Sequence, residues 1–222
     1  MKLTQIDLRT TFKSDYTEKF APESWAVAEL YWSYLREYST PNVQKVNIFI
    51  SDDFEDSLTE QMQVKGFKEA FINFDFAKYF SLDKLEKKRM QLEAIHNGMM
   101  QIADAEKWEK QPLIDAYNNC LEKNLEYQFF VGTAKSSPDK KHKINFWCNW
   151  DIDIFEVYSV LYDKNNNEIE RKKIIEKSPY DGEFIYYAKW KWLDNTKVLL
   201  EDKYKYGNNE KWEITIDPVI FS

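Results

Sequence analysis

The chain is 222 residues long, 43% hydrophobic and 17% aromatic, with a net charge of −7. A chain of this length buries roughly 70% of its unfolded surface and needs no disulfide or metal staple. Its few Gly (5) and Pro (6) exclude Gly-rich ligand loops, low-complexity linkers and collagen-like stretches.

Leu3, Ile6 and Leu8 predict a short first strand. Met1 to Thr10 alternates apolar and polar residues, carries Asp7 and has no apolar h-region, so no signal peptide is expected. Pro22-Glu23-Ser24 then introduces a helix over Trp25 to Tyr38, with Ala28, Tyr31, Trp32, Leu35 and Tyr38 on one stripe and Pro41 as its stop. Val43 to Ile50 reads as a strand covered on both sides. Phe67, Ala70, Ile72, Phe74 and Phe76 run close to period two and predict a strand over Phe67 to Phe76. A long amphipathic helix is expected from an N-cap at Ser81 to about Trp108, burying Leu85, Leu92, Ile95, Met99 and Ile102. Pro112 sits where a second helix would begin, with Ile114, Tyr117, Leu121 and Leu125 as its apolar face. The short connection makes the two an antiparallel pair.

After about Glu126 the period changes to two. Tyr127–Val131, Ile144–Trp150, Ile154–Tyr162, Glu168–Ile175, Phe184–Leu193, Val198–Tyr206 and Trp212–Ile216 read as strands, separated by polar turns such as Asp163 to Asn167 and Gly207-Asn208-Asn209. Successive strands on short turns give an antiparallel meander. The fold class expected is therefore α+β in a single domain over 1–222. Residues 1–126 form a mixed helix and strand region containing the helix pair, and residues 127–222 form the antiparallel sheet.

The chemistry-bearing residues are sparse. His96 lies in the long helix three residues after Glu93, but the second histidine, His142, falls in a lysine-rich stretch, so the two-histidine zinc spacing is absent. Cys120 and Cys148 sit among bulky residues and are expected as buried free thiols. Neither a nucleophile elbow, a phosphate loop nor a Cys-x-x-Cys occurs. No metal and no cofactor are expected. Asp151-Ile152-Asp153 is a carboxylate pair that chance alone explains.

Two segments stand out. Asp52, Asp53, Phe54, Glu55, Asp56 and Glu60 follow the strand ending at Ile50, and no Lys or Arg occurs from Val46 to Val64. Such a cluster is a divalent-cation site, a solvated loop or a docking patch for a basic partner. It lacks the Gly turn and ligand spacing of a calcium loop, while Phe54 ringed by charge has the makeup of an interface anchor. The other segment is Phe184 to Leu193. As a strand it puts Phe184, Tyr186, Trp190 and Trp192 on one face and Lys189 and Lys191 on the other. With Tyr204 nearby, Tyr186, Trp190 and Trp192 are a candidate stacking surface for a ligand or sugar, or else a core face.

A polyanion is repelled by nucleic acid and anionic membranes, so the expected partner is a basic protein, with no nucleic acid and no membrane. No run of about 18 apolar residues occurs. With no Asn-x-Ser/Thr acceptor present, a cytoplasmic protein is expected. In size, acidity and lack of motif the chain is similar to the immunity proteins that neutralise bacterial toxins. That likeness is of composition only and transfers no residue. It implies a non-catalytic protein-binding function, with a basic toxin or effector as the target. The alternatives are a ligand- or carbohydrate-binding module on the aromatic sheet, or an enzyme assembled around Glu93, His96 and Asp104.

Overall fold

In a computed structural model, which describes residues 1–11, 16–52 and 64–216, the chain divides by its internal contacts into two units. Unit 1 comprises Met1–Tyr127 with Asp151–Asp153, and unit 2 comprises Gln128–Trp150 with Ile154–Ser222. Helices and strands mix as α+β, and the strands of unit 2 pair antiparallel.

Unit 1 opens with β1 (Gln5–Thr10), α1 (Thr17–Phe20), a 3-10 turn at Ala21–Ser24 and α2 (Trp25–Ser33). It continues through β2 (Val43–Ser51), β3 (Gly66–Asn73), α3 (Phe76–Ser81), α4 (Lys84–Glu106) and α5 (Gln111–Glu122). Among the described residues its strands form a three-stranded sheet in the order β1-β2-β3, and both pairings are parallel. Parallel neighbours cannot be joined by a tight turn, so the chain crosses from β1 to β2 through α1 and α2. Register places Ile6 beside Val46, Leu8 beside Ile48, and Ile48 beside Ala70. These side chains are buried on the sheet face that meets α2 and α4. Gly98 lets α4 approach: a Cβ there would lie 2.9 Å from two carbons of Ile48.

Several boundaries differ from those the sequence predicts. The helix expected to reach Tyr38 stops at Ser33, but successive three-residue turns (Leu35 N to Trp32 O, Tyr38 N to Leu35 O) keep Leu35 and Tyr38 buried. The strand expected over Phe67 to Phe76 ends at Asn73, because Asp75 caps α3 by accepting from Lys78 N. Ser81 closes α3 and does not cap α4. Asp83 does, accepting from Glu86 N at 2.9 Å. Leu92, Ile95, Met99 and Ile102 are buried as expected, whereas Leu85 is 41% exposed. Its place on the stripe is taken by Lys88, drawn inward by Asp151. In α5 the buried face is turned by one residue from the expected one. Leu113, Ala116 and Cys120 are buried, Leu121 is exposed, Ile114 and Tyr117 are half-buried, and Leu125, past the end of α5, is buried as expected.

β4 (Tyr127–Phe130) begins on the last residue of unit 1's first segment and runs into unit 2, which continues with β5 (Lys135–Ser136), β6 (His142–Trp150), β7 (Phe155–Asp163) and β8 (Glu168–Lys177). These form a five-stranded sheet in the order β4-β6-β7-β8, with β5 also pairing β6. The strands β9 (Lys189–Trp192), β10 (Lys197–Glu201) and β11 (Lys211–Thr215) make a second, three-stranded antiparallel sheet. The C-terminal strands are therefore split between two sheets. What interrupts them is a 3-10 helix at Pro179–Tyr186, where a strand was expected from Phe184. Ser178 caps it, Pro179 starts it, and the Pro179 carbonyl accepts from Trp150 Nε1 at 3.0 Å. A Cβ at Gly182 would lie 2.6 Å from the Trp150 ring, so only glycine lets this helix lie against the indole. Cys120 and Cys148 are buried and unbridged, and burial pushes the Cys120 thiol up to about 12. Among the described residues no helix is long and apolar enough to cross a membrane.

Candidate functional site

Because β1, β2 and β3 are parallel, all three end at one edge of the sheet. Loops leaving the carboxyl ends of parallel strands are free to vary without disturbing the sheet, and ligands of open α/β sheets bind there. At this edge Thr10 Oγ1 lies 2.8 Å from Thr17 Oγ1, Phe74 N donates to Ser51 O, and Asp52 Oδ1 accepts from Phe76 N at 3.3 Å. Tyr16 stacks on Phe76 and Phe80, with centroids 4.7 and 5.7 Å away. The acidic segment leaves from here, at the end of the central strand. Asp52 has a structural tie to α3, while Asp53, Phe54, Glu55, Asp56 and Glu60 lie outside the described residues.

Charge divides sharply between the units. Unit 1 contains 24 acidic and 16 basic residues and unit 2 contains 14 acidic and 15 basic, so the entire net charge of −7 comes from unit 1. Part of unit 1's acidity is spent on internal pairing. Asp151 bridges Lys88 at 2.7 Å and Lys84 at 3.3 Å, and Asp153 bridges Lys84 at 2.7 Å. Burial opposes ionisation of Asp151, but Lys88, the Ile152 N–H and Lys84 together hold the carboxyl below its ordinary value. The Asp-x-Asp pair is thus occupied by lysines. Among the described residues, no three His, Cys, Asp or Glu side chains converge as metal ligands.

A second polar cluster lies between the 3-10 turn, α3 and α4. The Tyr79 hydroxyl donates to Glu23 at 2.6 Å, Gln91 Nε2 donates to that hydroxyl and to the Glu23 carbonyl, and Lys87 bridges Glu23 at 3.1 Å. Burial, reinforced by Glu23, pushes the Tyr79 phenol far above its ordinary value, so it stays a donor. This is a clamp between elements. His96 is half-buried, with Nδ1 3.2 Å from the Tyr31 hydroxyl and its ring 4.6 Å from Tyr117. Burial lowers its pKa. Glu93 is exposed, and Asp104 pairs with Lys110 and lines a separate groove of about 390 Å³ with Ile72, Asn73, Asn97, Met100 and Gln101. The imidazole meets Tyr31 and Tyr117.

In unit 2 the predicted stacking set is distributed over three elements. Trp190 and Trp192 lie on β9, in register with the buried Leu200 and Val198 of β10, while Lys189 and Lys191 are exposed opposite. Trp190 packs edge-on against Phe146 at 5.5 Å, and Trp192 Nε1 donates to the Lys135 carbonyl at 3.0 Å. Tyr186 ends the 3-10 helix and stacks on Phe129 at 6.1 Å. Tyr204 belongs to the turn after β10, where it stacks on Tyr187 and meets Tyr206. Strand parity assigned Tyr187 to the lysine face, which is why sequence reasoning missed it. Pro179 and Gly182, which favour a turn over a strand, were the available hint.

Searches with the sequence and the fold match no protein family, no curated protein and no solved structure.

Proposed function

We propose that this chain is a non-catalytic protein-binding protein that docks a basic partner through unit 1, in the manner of an immunity-type inhibitor neutralising a basic toxin or effector. The observation that carries this reading is the partition of charge: the whole excess of carboxylates belongs to one unit. Five of them (Asp52, Asp53, Glu55, Asp56 and Glu60) follow the central strand's carboxyl end without an intervening Lys or Arg. A concentrated negative field speeds encounter with a basic surface and fixes its orientation, at a rate that falls as salt rises. Phe54, set within that charge, supplies an apolar contact. The same proposal takes the chain as one cytoplasmic domain over 1–222. It also takes α4 and α5, joined through Lys107 to Lys110, as an antiparallel pair.

The experiment is recovery of the partner from the native host, followed by association kinetics across a salt series. With Asp52→Asn, Asp53→Asn, Glu55→Gln and Asp56→Asn combined, association at low salt should slow about tenfold and its salt dependence should flatten. An unchanged on-rate and salt slope would place the docking site elsewhere.

A further inference from the structure

The turn after β10 in unit 2 is tied down through its backbone. Asp202 is buried, its backbone N–H donates to Glu210 O, and its Oδ1 accepts from Tyr204 N at 2.7 Å. Gly207 N closes the turn on Tyr204 O, and a Cβ at Gly207 would run into the Asp202 carboxylate. Tyr204 and Tyr206 are therefore set on a backbone that has little freedom to relax.

Tyr187, following the 3-10 helix, lies on Tyr204 with centroids 4.7 Å apart and planes at 21°. Tyr206 crosses Tyr204 at 5.8 Å and 84°. Tyr187 is 45% exposed and Tyr206 78%, with Tyr204 half-buried between them. The Tyr204 hydroxyl donates to Glu183 Oε2 at 3.1 Å. Burial, reinforced by that carboxylate, pushes the phenol up to about 12, so it remains a donor. A ring left mostly in water adds little to folding. Rings ordered before any partner arrives, in contrast, lower the entropic cost of binding, and Tyr, Gly and Asn are the residues of adaptable binding loops.

Aromatic faces are negative, and a cation already uses this one: Lys205 Nζ lies 5.4 Å from the Tyr206 centroid. A guanidinium is better suited than an ammonium, because it stacks flat on a ring while forking onto a carboxylate. Glu183, at the Tyr204 hydroxyl, supplies that carboxylate. Unit 2 is nearly neutral, so selection at this turn must come from these local groups and not from a long-range field. We propose that Tyr187, Tyr204 and Tyr206 with Glu183 form a seat for an arginine side chain of the basic protein partner. The inference rests on the partner reading above and adds to it a second contact of defined chemistry.

The test is a titration of the full chain, its tyrosine rings labelled with ¹³C, against three probes: amidated tetra-arginine, amidated tetra-lysine and maltohexaose. Tetra-arginine should shift the Tyr187, Tyr204 and Tyr206 ring signals and bind more tightly than tetra-lysine. Tyr206→Ala and Glu183→Gln should each weaken it about three- to fivefold. Lys205→Ala should tighten it more than Lys203→Ala, which removes the same charge without uncovering the Tyr206 ring. Tyr206 is exposed enough for its variant to fold, and an unchanged amide spectrum outside the turn verifies this. Rings unmoved by tetra-arginine, rings moved by maltohexaose instead, or wild-type affinity in Tyr206→Ala would each overturn the seat. With the recovered partner the two proposals separate. A neutralised acidic segment that slows association, beside tyrosine variants that leave dissociation unchanged, retains the acidic surface and removes the arginine seat. The opposite pattern retains the seat and removes the acidic surface.

Discussion

Unit 1 and unit 2 solve the burial of a sheet in different ways. Unit 1 uses parallel strands: the chain crosses from β1 to β2 through α1 and α2, and α2, together with α4 that follows β3, covers the buried sheet face. Unit 2 uses mostly antiparallel neighbours joined by short polar turns, and fills the inner side of its larger sheet with alternating Ile144, Phe146, Cys148 and Trp150. The contrast matters for function. Strand ends gather at one edge of a parallel sheet, and there the acidic segment departs, whereas the seat proposed for unit 2 is built of tyrosine rings at a tight turn.

The largest effect should come from the aromatic centre of unit 2. Trp150 is 1% exposed, packs edge-on against Phe155 at 5.1 Å and holds the 3-10 helix through Pro179. Trp150→Ala should cost about 3–5 kcal/mol, read from urea denaturation, with amide protection lost first in β6 and β7. A variant with a wild-type midpoint would break the picture of unit 2 as organised around this indole.

In unit 1 the aliphatic side of α4 packs against the sheet. Leu92 is fully buried, and Leu92→Ala should cost about 2–5 kcal/mol. An unchanged melting temperature would mean that α4 does not supply the cover the parallel sheet requires.

The smallest effect sharpens the comparison by pH. Burial lowers the folded pKa of His96, so the unfolded chain protonates it first as the pH falls from about 6.5. Its contribution to stability is complete above that value and is lost on acidification toward the folded pKa. His96→Gln should flatten the stability profile between pH 7 and pH 5.5. A profile in that window identical to wild type would show that the imidazole is as solvated folded as unfolded.

The sequence by itself determined the elements whose cause is local. Pro112 started α5, the stripe through Leu92, Ile95, Met99 and Ile102 identified the buried side of α4, and period-two runs broken by polar turns located most strands of unit 2. Only the tertiary structure decided what depends on partners distant in the chain. Parallel pairing of β1, β2 and β3 leaves no turn to read. Leu85 lost its buried place to Lys88 because Asp151, more than sixty residues away, draws the ammonium in. Phe184 to Tyr187 alternated like a strand, yet the approach of Gly182 to Trp150 imposes a 3-10 helix, and that helix carries Tyr187 onto Tyr204. Periodicity records which side of an element meets a core; it holds no record of which remote residue arrives there.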